Sequence, residues 1–352
     1  MTTRGTFVRS AGALGAGLLA GNPALALARR KNELTDADVS KLYDAAKKEG
    51  TVTWWTGHYT QEAAERVRDA FKAKYPGIDV QLLRQTGQVL FQRLTNDLKS
   101  NVHQLDVFAT TDEAHMPILK KQNALAPFVP ADIDKIPSQY QHLDPDDTYQ
   151  LGEIALMCIN YNPKKGGAPR RWADLLDPKY KGQLSVGHPG FSGYVGNWVI
   201  AMNDKYGWDA YFKKFAANEP KIGRSVFDAT TDIVSGERTL GPGADSLALD
   251  KKSSGASIAI AFPEDDTVLV TAPVAVMKEA PHPNAARLLM NFYYSREYAQ
   301  TMAKTFNVPM RTDVPAAGGI RWDRLKTYRV KLDRLGTGVP EVVAKWRETF
   351  NV

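Results

Sequence analysis

The stretch Thr51-Val52-Thr53-Trp54-Trp55-Thr56-Gly57-His58-Tyr59-Thr60 decides the reading of this chain. Val52 and Trp54 alternate with polar neighbours as in a half-buried strand, and Ala63, Val67, Ala70 and Phe71 then recur at helical spacing. A strand that turns straight into a helix leaves unpaired N–H groups and the positive end of the helix dipole at the turn. In an open α/β sheet such turns lie where ligands bind. Gly57 permits close backbone approach, while Thr56, His58 and Tyr59 supply hydroxyl and imidazole groups beside Trp55, whose ring can stack on a ligand. The turn is expected to form the first wall of an anion-favouring pocket.

The same unit repeats downstream. Ile78, Val80 and Leu82 alternate, a polar turn follows at Arg84-Gln85-Thr86-Gly87-Gln88, and Leu90, Phe91, Leu94 and Leu98 mark a helix face. A third strand over residues 105–109 runs into Thr110-Thr111-Asp112 and a helix through Met116 and Leu119. Three consecutive strand-turn-helix units predict a mostly parallel, doubly wound sheet whose turns meet at one rim. A second α/β pattern begins with a strand over residues 183–187, the turn His188-Pro189-Gly190-Phe191-Ser192-Gly193-Tyr194 and a helix through Trp198 and Met202. A later small-residue turn carries Asp245. Apolar runs at 151–161 and 268–276 read as two crossings, which make a hinge between two lobes. The expected organisation is an export signal at 1–28, a discontinuous first lobe at 29–154 and 264–352, and a second lobe at 155–263. The C-terminal helices are free to pack on the second lobe.

A length of 352 residues exceeds what one core usually supports, and 43% hydrophobic with 24% charged residues is ordinary for a globular protein. Arg4 and Arg9 precede an uncharged Ala-, Gly- and Leu-rich run that ends near Ala28, the layout of a cleaved secretory signal. The run is too short and too Gly-diluted for a membrane anchor, so a periplasmic location is expected. Cleavage removes those two arginines and no acid, taking the formal charge from +6 to +4. That dispersed excess does not point to nucleic acid. Cys158, the single cysteine, lies in the apolar run 154–159 and reads as a buried thiol, which excludes an internal disulfide and a cysteine zinc site.

Three segments carry a family likeness. Trp172-Ala173-Asp174-Leu175-Leu176-Asp177-Pro178-Lys179-Tyr180-Lys181-Gly182 is similar to a W-x-D-L-x-x-P-x-Y-K-G pattern. Ala280-Pro281-His282-Pro283-Asn284-Ala285-Ala286 is similar to G-A-P-H-P-x-A-A, and Asn307-Val308-Pro309-Met310-Arg311-Thr312-Asp313-Val314 to P-V-R-x-D-V. On these marks the chain resembles the family 1 extracellular solute-binding proteins. These are receptors of bacterial ABC importers with the type II periplasmic-binding fold, and the likeness is to the branch of ferric-ion and 2-aminoethylphosphonate binders. The resemblance implies a receptor rather than an enzyme, acting as a monomer without a cofactor. It would close two lobes on a small-molecule ligand and present it to an inner-membrane ABC permease.

The resemblance also implies ligand contacts at Thr56, Gly57, His58, Thr111, Asp112, Ser192, Gly193, Tyr194 and Asp245. Helix starts, hydroxyls and one arginine, Arg84 or Arg311, suit an organic anion: a carboxylate, phosphonate or phosphate ester. Asp112 or Asp245 would suit an amine on that ligand. Ferric members of the family carry adjacent tyrosines near the later turn, and residues 243–247 contain none. A ferric receptor, the first alternative, would have to draw on His58, Tyr59, Asp112 and Tyr194. An enzyme on the same two-lobe fold is the second alternative. The sequence offers it no nucleophile with an adjacent base, no zinc motif and no G-x-x-x-x-G-K-[ST] phosphate loop.

Overall fold

The structure is a computed structural model that describes residues 34–320 and 322–352, so the expected export signal lies outside the described residues. The first described element is α1 (Asp36–Glu49), started by a Thr35–Asp38 capping box and stopped at Gly50, whose φ of 74° suits a residue without Cβ. β1 (Thr51–Thr56) follows, then α2 (Gln61–Lys74), whose first turn Thr60 caps by accepting from the Ala63 N–H. β2 (Asp79–Arg84), α3 (Gly87–Lys99), β3 (Val107–Ala109) and α4 (His115–Lys121) complete the three expected units. β1 pairs in parallel with both β2 and β3. Val52, Trp54, Val107 and Ala109 face one hydrophobic cluster with α1 and α2, while Trp55 and Phe108 face another beneath α3 and α4. Period-two alternation thus clothes both faces of this sheet with helices.

β4 (Leu125–Ala126) precedes the long crossing strand β5 (Gln150–Tyr161). Next come β6 (Ser185–Val186), α5 (Gly193–Tyr206), α6 (Lys214–Ala217), β7 (Lys221–Ile222), α7 (Val226–Ser235), β8 (Leu240–Ala244), α8 (Asp245–Ser253) and β9 (Ala259–Ala261). The return crossing is β10 (Thr267–Met277), followed by α9 (Pro283–Phe292), α10 (Arg296–Lys304), β11 (Thr327–Arg329) and α11 (Leu332–Phe350).

The α/β class and the parallel pairing of the first three strands are as expected, while the sheet as a whole is mixed rather than divided into one mostly parallel sheet per lobe. Nine of the described strands form a single mixed sheet, with the order β2-β1-β3-β10-β5-β8. β10 runs antiparallel to β3 and β5, and β5 antiparallel to β8. Consecutive side chains point to opposite faces, so β5 sends Ile154 and Leu156 into the first cluster and Ala155, Met157 and Ile159 into a second one. Around that second cluster stand Trp172, Trp198, Phe212, Phe215 and, from α11, Val342 and Trp346.

The C-terminal part divides. α9 and α10 bury Leu288, Phe292, Tyr298 and Met302 in the first cluster, whereas α11 joins the second. The chain therefore passes between the clusters a third time, from Leu325 to Val330 through β11, which pairs in parallel with β10. The sequence showed two crossings. The third is carried by only three strand residues, too short a run to register as a period.

Candidate functional site

Strand-to-helix turns converge at the middle of the molecule. A Cβ on Gly57 would lie 2.8 Å from the Gly87 backbone, and one on Gly87 would lie 2.7 Å from the Thr110 Oγ1. The first three turns are therefore stacked backbone against backbone, a closeness only glycine permits. From the opposite side comes the start of α5, where a Cβ on Gly193 would lie 2.5 Å from the Thr111 carbonyl oxygen. The turns read from sequence as facing walls do face each other, and they touch.

At the junction Tyr194 bridges to His58, with the hydroxyl 3.0 Å from Nδ1 and the two rings stacked. His58 Nε2 lies against the carboxylate of Glu153, which in turn accepts from the Tyr298 hydroxyl, itself in contact with the Tyr59 hydroxyl. Burial pushes Glu153 above the usual carboxylate range, opposed by His58, and raises the Tyr194 and Tyr298 hydroxyls well above theirs. Asp245 stands at the start of α8, 1% exposed, with Oδ1 3.3 Å from the Leu156 N–H and Oδ2 unpartnered among the described residues. Desolvation lifts its pKa to about 6 against the pull of the Ser246 and Leu156 N–H groups.

Beside the junction lies a narrow cleft of about 30 Å³, lined by His58, Thr60 and Arg66 on one side and by Tyr194, Phe227, Ser246 and Leu247 on the other. The starts of α2, α7 and α8 all reach it. Arg84 holds the rim together: its Nε donates to the Tyr59 carbonyl at 2.5 Å and its guanidinium lies 4.5 Å from the Phe227 ring centre. Its Nη2 is unpartnered among the described residues.

The expected site residues fall into three groups. His58 and Tyr194 line the cleft. Thr56, Gly57, Thr111, Asp112, Ser192, Gly193 and Asp245 are buried in or behind the converging turns. Trp55, Tyr59 and Arg311 need correction. Trp55 sits beneath α3 in the core, because its strand position faces away from the cleft side. The Tyr59 hydroxyl points to Tyr298 and its ring packs edge-on to Trp54. Arg311 is committed to Asp132, Asp313 and the Tyr294 carbonyl, remote from the cleft lining. Asp112 accepts from the Ala114 N–H and from Gln88 and lies beside His115, so it braces its own turn rather than joining His58 and Tyr194.

Reading the sequence missed Glu153, Tyr298, Arg66 and Phe227. Glu153 had a signal: an acid inside the apolar run 151–159 must find a partner when buried. Among the described residues no three His, Cys, Asp or Glu side chains gather as a metal-holding group, and no helix is long and apolar enough to cross a membrane.

A mixed α/β scaffold with turns from two core clusters meeting over a polar cleft defines a solute-binding protein rather than a surface with exposed chemistry. Residues 91–325 match the model of the bacterial extracellular solute-binding proteins, and the chain belongs to that family. A Salmonella typhimurium protein named "Putative 2-aminoethylphosphonate-binding periplasmic protein" is 27% identical over 302 residues, covering 80% of this chain and 85% of its own. The fold is that of the periplasmic binding protein AfuA from Actinobacillus pleuropneumoniae, solved with fructose-6-phosphate bound (TM-score 0.77, 20% identity, 86% of this chain and 99% of that one). Iron-bound HitA from Pseudomonas aeruginosa shares it too (TM-score 0.72, 19% identity, 85% and 99%).

Proposed function

We propose that the chain is the periplasmic receptor of an ABC importer and that its ligand is a small organic anion bearing a phosphonate, phosphate ester or carboxylate. The observation that carries the ligand class is the meeting of three helix starts, α2, α7 and α8, at one cleft. Each start presents N–H groups and a partial positive charge, and an anion between them is held without a counter-charge of its own. Arg84, behind the lining between Tyr59 and Phe227, adds positive charge and a buried guanidinium nitrogen with no partner among the described residues. Asp245, with one bare oxygen behind the junction, gives an ammonium group somewhere to go. An aminophosphonate, the ligand in the Salmonella relative's name, has both ends.

Capture by closure follows from the three crossings. Residues 34–154 with 264–325 form one lobe, and residues 155–263 with α11 the other. β5, β10 and β11 are the hinge, and the His58–Tyr194 contact is where the lobes meet. Delivery then falls to a membrane permease as the partner.

A ferric cargo is the second reading, favoured by one observation. Tyr194, His58, Glu153, Tyr298 and Tyr59 form a continuous chain of hard oxygen donors and imidazole. Against it, burial holds the protons on the Tyr194 and Tyr298 phenols, and iron would have to displace them.

A thermal-shift panel decides. 2-Aminoethylphosphonate, a hexose phosphate and inorganic phosphate are compared with ferric citrate. An anion at 100 times its dissociation constant is expected to stabilise the protein by about 2.7 kcal/mol. Stabilisation by ferric citrate alone, with a visible phenolate colour, would replace the organic anion with iron.

A further inference from the structure

The turn that faces Gly193 does not stand alone. Glu113, next to Asp112 and 2% exposed, accepts three hydrogen bonds from two residues. Arg329 Nη2 donates to Oε1 at 3.0 Å and to Oε2 at 2.7 Å, and the Thr271 hydroxyl donates to Oε2 at 2.6 Å. Thr271 is in the middle of β10, the second crossing, and Arg329 ends β11, the third. On either side of Arg329 the chain is bound to the far side: Tyr328 before it and Arg334 after it both reach Asp204 of α5, at 3.1 and 3.2 Å, and further on Trp208 donates to Thr349 at 3.0 Å. α5 is the helix whose first residue, Gly193, rests on Thr111. One carboxylate therefore connects the Thr110–Asp112 turn behind the cleft to β10 and β11 and, through the C-terminal arm, to α5.

We propose that Arg329 is a positioning residue for ligand capture: by gripping Glu113 it sets the Thr110–Asp112 turn in the register that lets the cleft close. The inference rests on the closing-receptor reading above. The physical reason is asymmetry. A buried carboxylate that loses its guanidinium must move, take up a proton or draw in water, and each of these displaces the turn it belongs to. A closed state that depends on that turn is then less populated, and apparent affinity falls by the fraction lost.

The test places spin labels on either side of the cleft mouth, at Asp69→Cys in α2 and Lys252→Cys in α8, and measures their distance distribution in otherwise intact protein. In the ligand-free state Arg329→Met and Glu113→Gln are expected to broaden the distribution toward longer distances. Each should also weaken 2-aminoethylphosphonate binding, or that of inorganic phosphate, by about tenfold or more. The double variant should lose less than the two single losses combined, because it strands no charge. Arg329→Lys, which keeps the charge on one donor nitrogen, should recover part of the affinity. Should Arg329→Met not fold, Thr271→Val and Arg329→Lys carry the same comparison. A fall in melting temperature with unchanged distances and unchanged affinity would reduce the pair to a structural brace and overturn the proposal. If the wild-type distances respond to no probe, the closing-receptor reading fails first, and the ligand-free distances still judge Arg329.

Discussion

Asp245 carries a charge that the fold makes expensive to keep. Its carboxyl accepts from backbone N–H groups yet loses nearly all of its water, so its pKa rises from 3.8 to about 6. The folded protein then binds a proton more tightly than the unfolded chain. Stability from this group is full below the unfolded value and is lost as pH rises through about 6. At 1.36 kcal/mol per pKa unit the loss comes to about 3 kcal/mol above that pH. Asp245→Asn keeps the shape without the charge. It should raise the ligand-free melting temperature more at pH 7.5 than at pH 4.5, and weaken binding of an amine-bearing ligand more than that of inorganic phosphate. Equal melting shifts at both pH values would mean the carboxyl is not desolvated. Asp245 was legible in the sequence because it follows a small-residue turn. Tyr298 and Arg66 were not, and Glu153 showed only that it would need a partner, not which one, since these roles come from long-range packing: Glu153 is 145 positions from the hydroxyl that it accepts from.

Elements were readable wherever the local pattern and the tertiary demand agreed. β1 with α2 and β3 with α4 announce themselves by a change from period two to helical spacing across a polar turn. α8 gave no such sign, since its sequence DSLALDKKS separates apolar from polar faces poorly. α11 contains Gly336, Gly338 and Pro340, which locally argue for a loop. What fixes α11 as a helix is its far side: Trp346 is fully buried, with its ring 4.2 Å from that of Phe350 and 5.8 Å from that of Phe212. It also approaches His188, at the start of the turn that carries Ser192 and Tyr194. Trp346→Ala should therefore cost about 3–5 kcal/mol in chemical denaturation and weaken ligand binding as the 188–194 turn loosens. A loss below 1 kcal/mol would show that α11 is an appendage rather than part of the second core.

For the whole molecule, two glycines separate what folding requires from what closure requires. Gly57 and Gly87 meet inside one wall of the cleft, so a Cβ at 57 collides in every conformation of that wall. Gly193 meets Thr111 from the opposite side, and in the closing receptor proposed above its collision exists only when the walls are together. Overpacking at such contacts costs about 1–3 kcal/mol. Gly57→Ala should lower the melting temperature of ligand-free protein. Gly193→Ala should leave it nearly unchanged while reducing ligand affinity about 10- to 100-fold, since the same penalty now falls on the closed state alone. Small-angle scattering supplies the matching picture. Closed wild-type protein should approach a radius of gyration of about 20 Å, as a compact chain of this length does, and liganded Gly193→Ala should stay larger. If the two substitutions destabilise the ligand-free protein equally, the walls never part. The contact between Thr111 and Gly193 would then be core packing, and a solute would have no route between them.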